Sequence, residues 1–314
     1  MRPLIGIPLA LALLTACDGG SSDGGTGGSS GGSTSAEVEA STSGGESSSS
    51  TGLDEGDTTT SGGESSSSEG GDESSSSSTG EPVVCEPPAS LSVLFIGNSF
   101  TYTHDLPGMV SGLGEDASLP IETDSITQGG QRLSYHVMNE ATLPLIQSQP
   151  WDYVVIQGHS LETLDDLEGF LENGETLVEW IEDAGAEPLL YETWARSPLH
   201  DIWGDPGFDY ATPDEMQDAV SAGYQQLSDL TGARIVPAGQ AWQVLWSSAD
   251  VETVYPWGGD EYHPSVAGTY LNASVFFLAL TGVSLDTVQG EQPLAPEAVD
   301  ILQAVAEQVV PPCR

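Results

Sequence analysis

The chain has 314 residues, with 48 aspartates and glutamates, five arginines and no lysine, for a formal net charge of −43. Phosphate recognition needs basic residues, so this balance argues strongly against nucleic acid as a partner. It also disfavours anionic substrates unless a local arginine helps, and it keeps the folded surface solvated.

In chain order, residues 1–16 read as an export signal. Arg2 gives a positive start and Leu4 to Leu14 an apolar run, too short to span a bilayer as a stable helix. The run ends in Leu14-Thr15-Ala16-Cys17, which resembles a bacterial lipobox. That resemblance implies lipidation of Cys17 at the mature N-terminus. Two or more acyl chains there would anchor the protein stably to a membrane. The expected location is the cell envelope, on the periplasmic or extracellular side. Residues 17–80 are Ser, Gly, Thr and acids apart from Cys17, Ala36, Val38, Ala40 and Leu53, and "TSGGESSSS" occurs at 42–50 and again at 60–68. Such a segment has nothing to bury and reads as a tether reaching ~45 Å as a flexible coil. Cys85 and Cys313 flank the foldable part, and an exported context permits a disulfide between them. A loop that long would be stabilised by ~5 kcal/mol in the chain-entropy account. Two free thiols are the other reading.

Residues 81–314 form the expected folded domain. Its strands are read at Ser92–Ile96, Ile121–Ile126, Tyr153–Gln157, Pro188–Glu192 and Arg234–Pro237. Most are continuous apolar runs, as in strands covered on both faces of a parallel sheet. Helical spacing follows Thr212-Pro213 at Met216, Val220, Tyr224 and Leu227. It recurs over Val266 to Leu280 and at Leu302, Val305 and Val309. The alternation predicts an α/β fold, a three-layer α/β/α sandwich with a central parallel sheet of about five strands. Ligands of such folds sit at the carboxyl ends of the strands. Ser99 falls there, just past the first strand.

A serine needs a base to remove its proton, usually a histidine oriented by a carboxylate. Of the five histidines, His263 lies three residues after Asp260 on a glycine-led loop running into a helix. That spacing lets the carboxylate reach the ring nitrogen facing away from the serine. A plain helix start, capped by Ser265 or His263, is the competing reading.

Four stretches in order resemble the blocks of the SGNH (GDSL-like) hydrolase superfamily. They are "IGNS" at 96–99, "QGGQRLSYH" at 128–136, "VVIQGHS" at 154–160 and "DEYHPS" at 260–265, within residues 91–310. The resemblance implies a flavodoxin-like fold and a Ser-His-Asp triad acting through an acyl-enzyme. Ser99 would be the nucleophile, His263 the base and then the acid, and Asp260 the residue orienting it. The oxyanion hole would take backbone N–H groups of Ser99 and of Gly130 or its neighbour Gly129. The usual third donor is the asparagine of a G-x-N-D block, and here the strand ends Gln157-Gly158-His159-Ser160 instead. Gln157 is expected to supply the amide, with His159 as the other choice. Asn98 stands where the family commonly has aspartate, in a turn that suits asparagine equally. Asn98, His159 and Trp257 are expected to bind substrate.

The other histidines read more blandly. His104 is expected in a loop, His136 on a helix face, and His200 in an acidic loop with Asp201, Asp205, Asp209 and Asp214. Oxygen ligands in such a loop could hold calcium, but no EF-hand spacing occurs, and no paired His or Cys spacing favours zinc. No metal or organic cofactor is expected. Of Trp194, Trp203, Trp242, Trp246 and Trp257, most should be core, and any exposed face could stack on a sugar. The function implied is an exported, lipid-anchored monomeric serine esterase for small acyl groups, with acetyl on carbohydrate as the best candidate. A catalytically weak, tethered carbohydrate-binding module on the same fold is the alternative.

Overall fold

The computed structural model describes residues 86–313. The expected signal peptide, the expected lipidation site Cys17, the expected tether and Cys85 lie outside the described residues. Cys313 is disulfide-bonded.

Five strands form one parallel sheet: β1 (Leu91–Gly97), β2 (Ile121–Thr127), β3 (Tyr153–Ile156), β4 (Glu187–Tyr191) and β5 (Arg234–Val236). Their order is β2-β1-β3-β4-β5. Each begins and ends within one or two residues of the apolar run that predicts it. Helices α1 (Ser99–Tyr102), α2 (Leu106–Asp116), α3 (Leu133–Met138), α4 (Thr142–Ile146) and α5 (Glu162–Asp165) fill the first half. Helices α6 (Leu167–Asp183), α7 (Pro213–Thr231), α8 (Ala238–Trp246), α9 (Val266–Thr281) and α10 (Pro296–Val309) fill the second.

The continuous apolar runs have a direct explanation. Side chains alternate across a strand, so both faces of β1 must be apolar if both are covered. Val93 and Phe95 pack with residues of α2, α8, α9 and α10. Leu94 and Ile96 pack on the other side with residues of α3, α6 and α7. The result is the three-layer α/β/α sandwich. The weaker second run is the edge strand: β2 pairs only with β1 and leaves Glu122, Asp124 and Ser125 exposed. Helix α9 is apolar nearly all round because it packs against α2, α8 and α10 at once.

This order fixes where a site can form. The chain leaves β1 for β2 on one side and returns to β3 on the other, so β1 is the topological switch point. A crevice opens there between the loops leaving β1 and β3. Ser99 stands at one wall and His159-Ser160 at the other.

Candidate active site

Gly97 ends β1 because nothing larger fits. A Cβ there would lie 2.5 Å from Thr101 Oγ1 and 2.6 Å from Gln157 Oε1. The next residue, Asn98, caps α1, its Oδ1 accepting from Phe100 N at 3.1 Å. Its Nδ2 donates to Gln131 O at 3.0 Å and Gly158 O at 3.4 Å. One buried amide therefore ties the serine turn to both neighbouring loops. Asn98 lines the pocket as expected of a binding residue, but its polar atoms are engaged in holding the frame.

Ser99 Oγ lies 2.8 Å from His263 Nε2, and His263 Nδ1 lies 2.6 Å from Asp260 Oδ2. The three residues thus form one hydrogen-bonded line across 164 positions of sequence. A tight loop before α9 sets this geometry. Gly258 N donates to His263 O at 2.7 Å, and Trp257 bridges to Pro264. Glu261 takes a left-handed φ of 64° between the two functional residues. A β-carbon makes that conformation costly, and contacts hold it in place. Its carboxylate accepts from Ser197 Oγ at 2.6 Å and Tyr255 OH at 2.5 Å. Desolvation pushes the Asp260 pKa up, but hydrogen bonds from the His263 ring and from the backbone N–H groups of His263 and Tyr262 outweigh it. The net shift is downward. Asp260 therefore stays ionised, which fixes the His263 proton on Nδ1 and leaves Nε2 free to accept from Ser99.

The pocket encloses about 270 Å³ and is lined by Tyr102, Gly129, Gly130, His159, Ser160 and Tyr262 around Ser99 and His263. Gly130 adopts φ 69°, a turn that favours glycine. The N–H groups of Ser99 and Gly130 make no hydrogen bond among the described residues. Both are available to a developing oxyanion.

Two expected site residues are placed elsewhere. Gln157 is buried behind the serine turn. Its Oε1 accepts from Asn98 N at 3.0 Å and from Thr101 Oγ1 at 2.9 Å, and its Nε2 donates to Gly158 O. The amide is therefore a brace and does not line the pocket. The reason is the strand pleat, which turns this side chain towards Gly97. Gln157→Leu is expected to leave two buried donors unpaired, costing about 2–4 kcal/mol and lowering the urea midpoint along with kcat. Loss of an oxyanion donor alone would leave the midpoint unchanged. Trp257 is the second correction. It is 2% exposed, donates from Nε1 to Ala195 O at 3.0 Å, and stacks on Trp246. It bridges to Pro264 beside the loop and does not line the pocket. Trp194 and Trp242 are wholly buried too.

His159 does line the pocket. Its Nδ1 accepts from Leu161 N at 3.3 Å, which puts the proton of the neutral ring on Nε2. Burial, then the nearby Arg132 and Arg196 charges, push its pKa down and favour that neutral form. His136 is buried under β1 with Nε2 donating to Gly97 O at 2.9 Å, so it props the strand end. His104 is exposed in the loop after α1 at φ 56°. In the acidic loop, Asp205 Oδ1 accepts from Gly207 N, and Asp214 Oδ1 accepts from Gln243 and Trp246 side chains. His200 Nδ1 accepts from Ile202 N. Among the described residues no group of three or more His, Cys, Asp or Glu could hold a metal ion.

Sequence reasoning passed over Tyr262, Ser160, Arg196 and Glu162. Tyr262 carried a signal, sitting inside the Asp260–His263 spacing, and so did Ser160, third in Gly158-His159-Ser160 after the third strand. Glu162 is buried beneath the pocket loops, accepting from His159 N at 2.7 Å and Leu133 N at 3.0 Å. Burial raises its pKa to about 7. A carboxyl whose folded pKa exceeds its unfolded value stabilises the fold most below about pH 4.5. That contribution fades as pH rises towards 7, by on the order of 3 kcal/mol. Between pH 5 and pH 8 the parent should therefore lose more stability in urea titrations than Glu162→Gln, whatever their offset.

No family model matches the chain, and no curated protein matches it. Solved structures do. A candidate SGNH hydrolase from Slackia heliotrinireducens is 25% identical with a TM-score of 0.51, covering 60% of this chain and 97% of its own. A DUF4886 family protein from Bacteroides uniformis is 20% identical with a TM-score of 0.60, covering 72% of this chain and 96% of its own.

Proposed function

We propose that the chain is an ester hydrolase of the SGNH (GDSL-like) superfamily, as its fold and its likeness to an SGNH hydrolase support, and that it cleaves carboxylic esters of small acyl groups through Ser99, His263 and Asp260. The observation carrying this reading is the unbroken Ser99–His263–Asp260 hydrogen-bond line at the floor of a pocket with two unengaged backbone N–H groups.

His263 Nε2 takes the Ser99 proton as Oγ attacks the ester carbon, and Asp260 stabilises the resulting imidazolium. The carbonyl oxygen, now an oxyanion, receives the N–H groups of Ser99 and Gly130. Collapse expels the alcohol, protonated by His263, and leaves an acyl-Ser99. His263 then activates a water, which attacks the acyl carbon and regenerates Ser99. The neutral His159 faces substrate as an N–H donor. A volume of about 270 Å³ suits a short acyl chain.

With Trp194, Trp242 and Trp257 in the core, the aromatic platform expected for a sugar falls to Tyr102. It is 48% exposed at the pocket lining. O-acetylated carbohydrate is the substrate class this favours. Tyr102→Ala should raise KM for an acetylated oligosaccharide about tenfold while leaving KM for ethyl acetate unchanged. Equal effects on both would remove the platform.

The test of the whole reading is hydrolysis of p-nitrophenyl acetate by the protein, with covalent labelling of Ser99 by a fluorophosphonate. Glycan binding with neither hydrolysis nor labelling would make it a binding module instead. Anchoring through Cys17 in the cell envelope is part of the proposal, supported by the lipobox-like Leu14–Cys17 and the long polar segment after it. Cys17→Ser should release the protein from the membrane fraction.

A further inference from the structure

Arg196, in the loop after β4, is 6% exposed. The other described arginines meet carboxylates: Arg132 pairs with Asp165 and Asp166, and Arg234 with Glu187. Arg196 has no carboxylate partner among the described residues. Its Nη2 donates to Ser160 Oγ at 2.9 Å, and its Cζ lies 4.4 Å from the centre of the Tyr262 ring. Its Nε and Nη1 are buried without a partner among the described residues. An acidic chain of this kind has carboxylates in excess to pair with a buried cation. Leaving one without a contacting carboxylate is costly, and the carboxylate that acts on it through space is Asp260 of the triad.

The field of Arg196 acts on the pocket. Ser160 and Tyr262 are the residues its guanidinium meets, and both line the pocket with Ser99. Because Ser160 Oγ accepts from the guanidinium, its own proton is left to give, and it meets no acceptor among the described residues. Ser160 is also third in Gly158-His159-Ser160 at the end of β3. That is the place of the asparagine in the G-x-N-D block that this chain lacks.

We propose that the Ser160 hydroxyl is the third oxyanion donor of this site, with the buried Arg196 behind it as the residue that positions and polarises it. This rests on the ester-hydrolysis reading above. A hydroxyl that accepts from a cation is a stronger donor in turn. A fixed charge in a dry wall needs no reorganisation as the oxyanion forms. Gln157 cannot take this part, since its amide is spent on the serine turn.

The experiment compares Ser160→Ala, Arg196→Met, Arg196→Lys and the Ser160→Ala/Arg196→Met double variant. The readouts are p-nitrophenyl acetate kinetics, fluorophosphonate labelling of Ser99 and thermal midpoint. Ser160→Ala should lower kcat about 10²-fold with KM close to the parent's and a lower midpoint, since it removes the acceptor of a buried guanidinium N–H. Arg196→Met should lower kcat comparably, Arg196→Lys should recover part of it, and the double variant should be no worse than the poorer single one. Losses that multiply in the double variant, or a Ser160→Ala kcat within about twofold of the parent, would overturn the assignment. If Arg196→Met does not fold, Ser160→Thr, which keeps the hydroxyl, should outperform Ser160→Ala, and equality would overturn it. A parent that neither hydrolyses nor labels defeats the esterase reading and this assignment with it. A parent that does both beside an undiminished Ser160→Ala defeats this assignment alone.

Discussion

Ser99→Ala is expected to lower p-nitrophenyl acetate hydrolysis by at least about 10⁴-fold and to abolish fluorophosphonate labelling, with the thermal midpoint unchanged. The serine is half-buried, and its Oγ bonds only to His263, so removing it leaves no cavity in the core. His263→Ala should match it, and the double variant should be no worse than either. These residues act as a unit, so their separate losses do not add. Asp260→Asn is the sharper test of geometry. An asparagine oxygen can still accept from the N–H groups of Tyr262 and His263, which now reach Oδ1 at 3.3 and 3.0 Å. Its amide nitrogen would then donate to His263 Nδ1 and drive the ring proton to Nε2. That tautomer cannot accept from Ser99, and kcat should fall about 10⁴-fold with the fold intact. Undiminished activity in either Ser99→Ala or His263→Ala would remove the nucleophile assignment.

Trp194→Ala is expected to be the most destabilising single change near the site. The indole lies between Phe100 and Trp242, with ring centres 4.3 and 4.1 Å away and planes within 6° and 8° of parallel. Its Nε1 donates to Tyr262 O at 3.0 Å. Truncating a wholly buried tryptophan costs about 3–5 kcal/mol, which for a domain of this size means a midpoint lower by on the order of 10 °C. Activity should fall in the surviving folded protein as well. Phe100 follows the nucleophile and Tyr262 precedes the base, so this one ring holds both ends of the triad in register. Trp194→Phe keeps most of the stack but not the N–H bond. It should recover most of the stability and less of the kcat. A Trp194→Ala midpoint within about 2 °C of the parent would show that the stack carries little.

The two variants probe different layers of the protein, and those layers differ in how readable they were. The strands could be read directly. A short, largely apolar run of four to six residues between turn signals is a local pattern, and a parallel sheet covered on both faces demands it. Ser99, Asp260 and His263 could be singled out because each sits where a strand or loop ends, in a spacing that makes chemical sense. Gln157 misled because a strand-end residue can project either way. Only the pairing of β1 with β3 turns it towards Gly97 and Thr101. Trp257 misled because nearness in sequence to Asp260 does not say whether a ring lies above or below the loop. Arg196 gave no signal and Ser160 only its place in the third block, since their link spans 36 positions and depends on which side chain is denied a carboxylate.

By itself the sequence determined the sandwich, the order of its strands along the chain and the serine at the first strand's end. Those follow from local periodicity and from the polar residues that interrupt it. The tertiary structure alone decided which groups meet across the crevice, which amides are spent on the frame and which cation is buried without a partner. Those depend on side-chain direction and on packing between segments far apart in the chain, and neither is written in any local pattern.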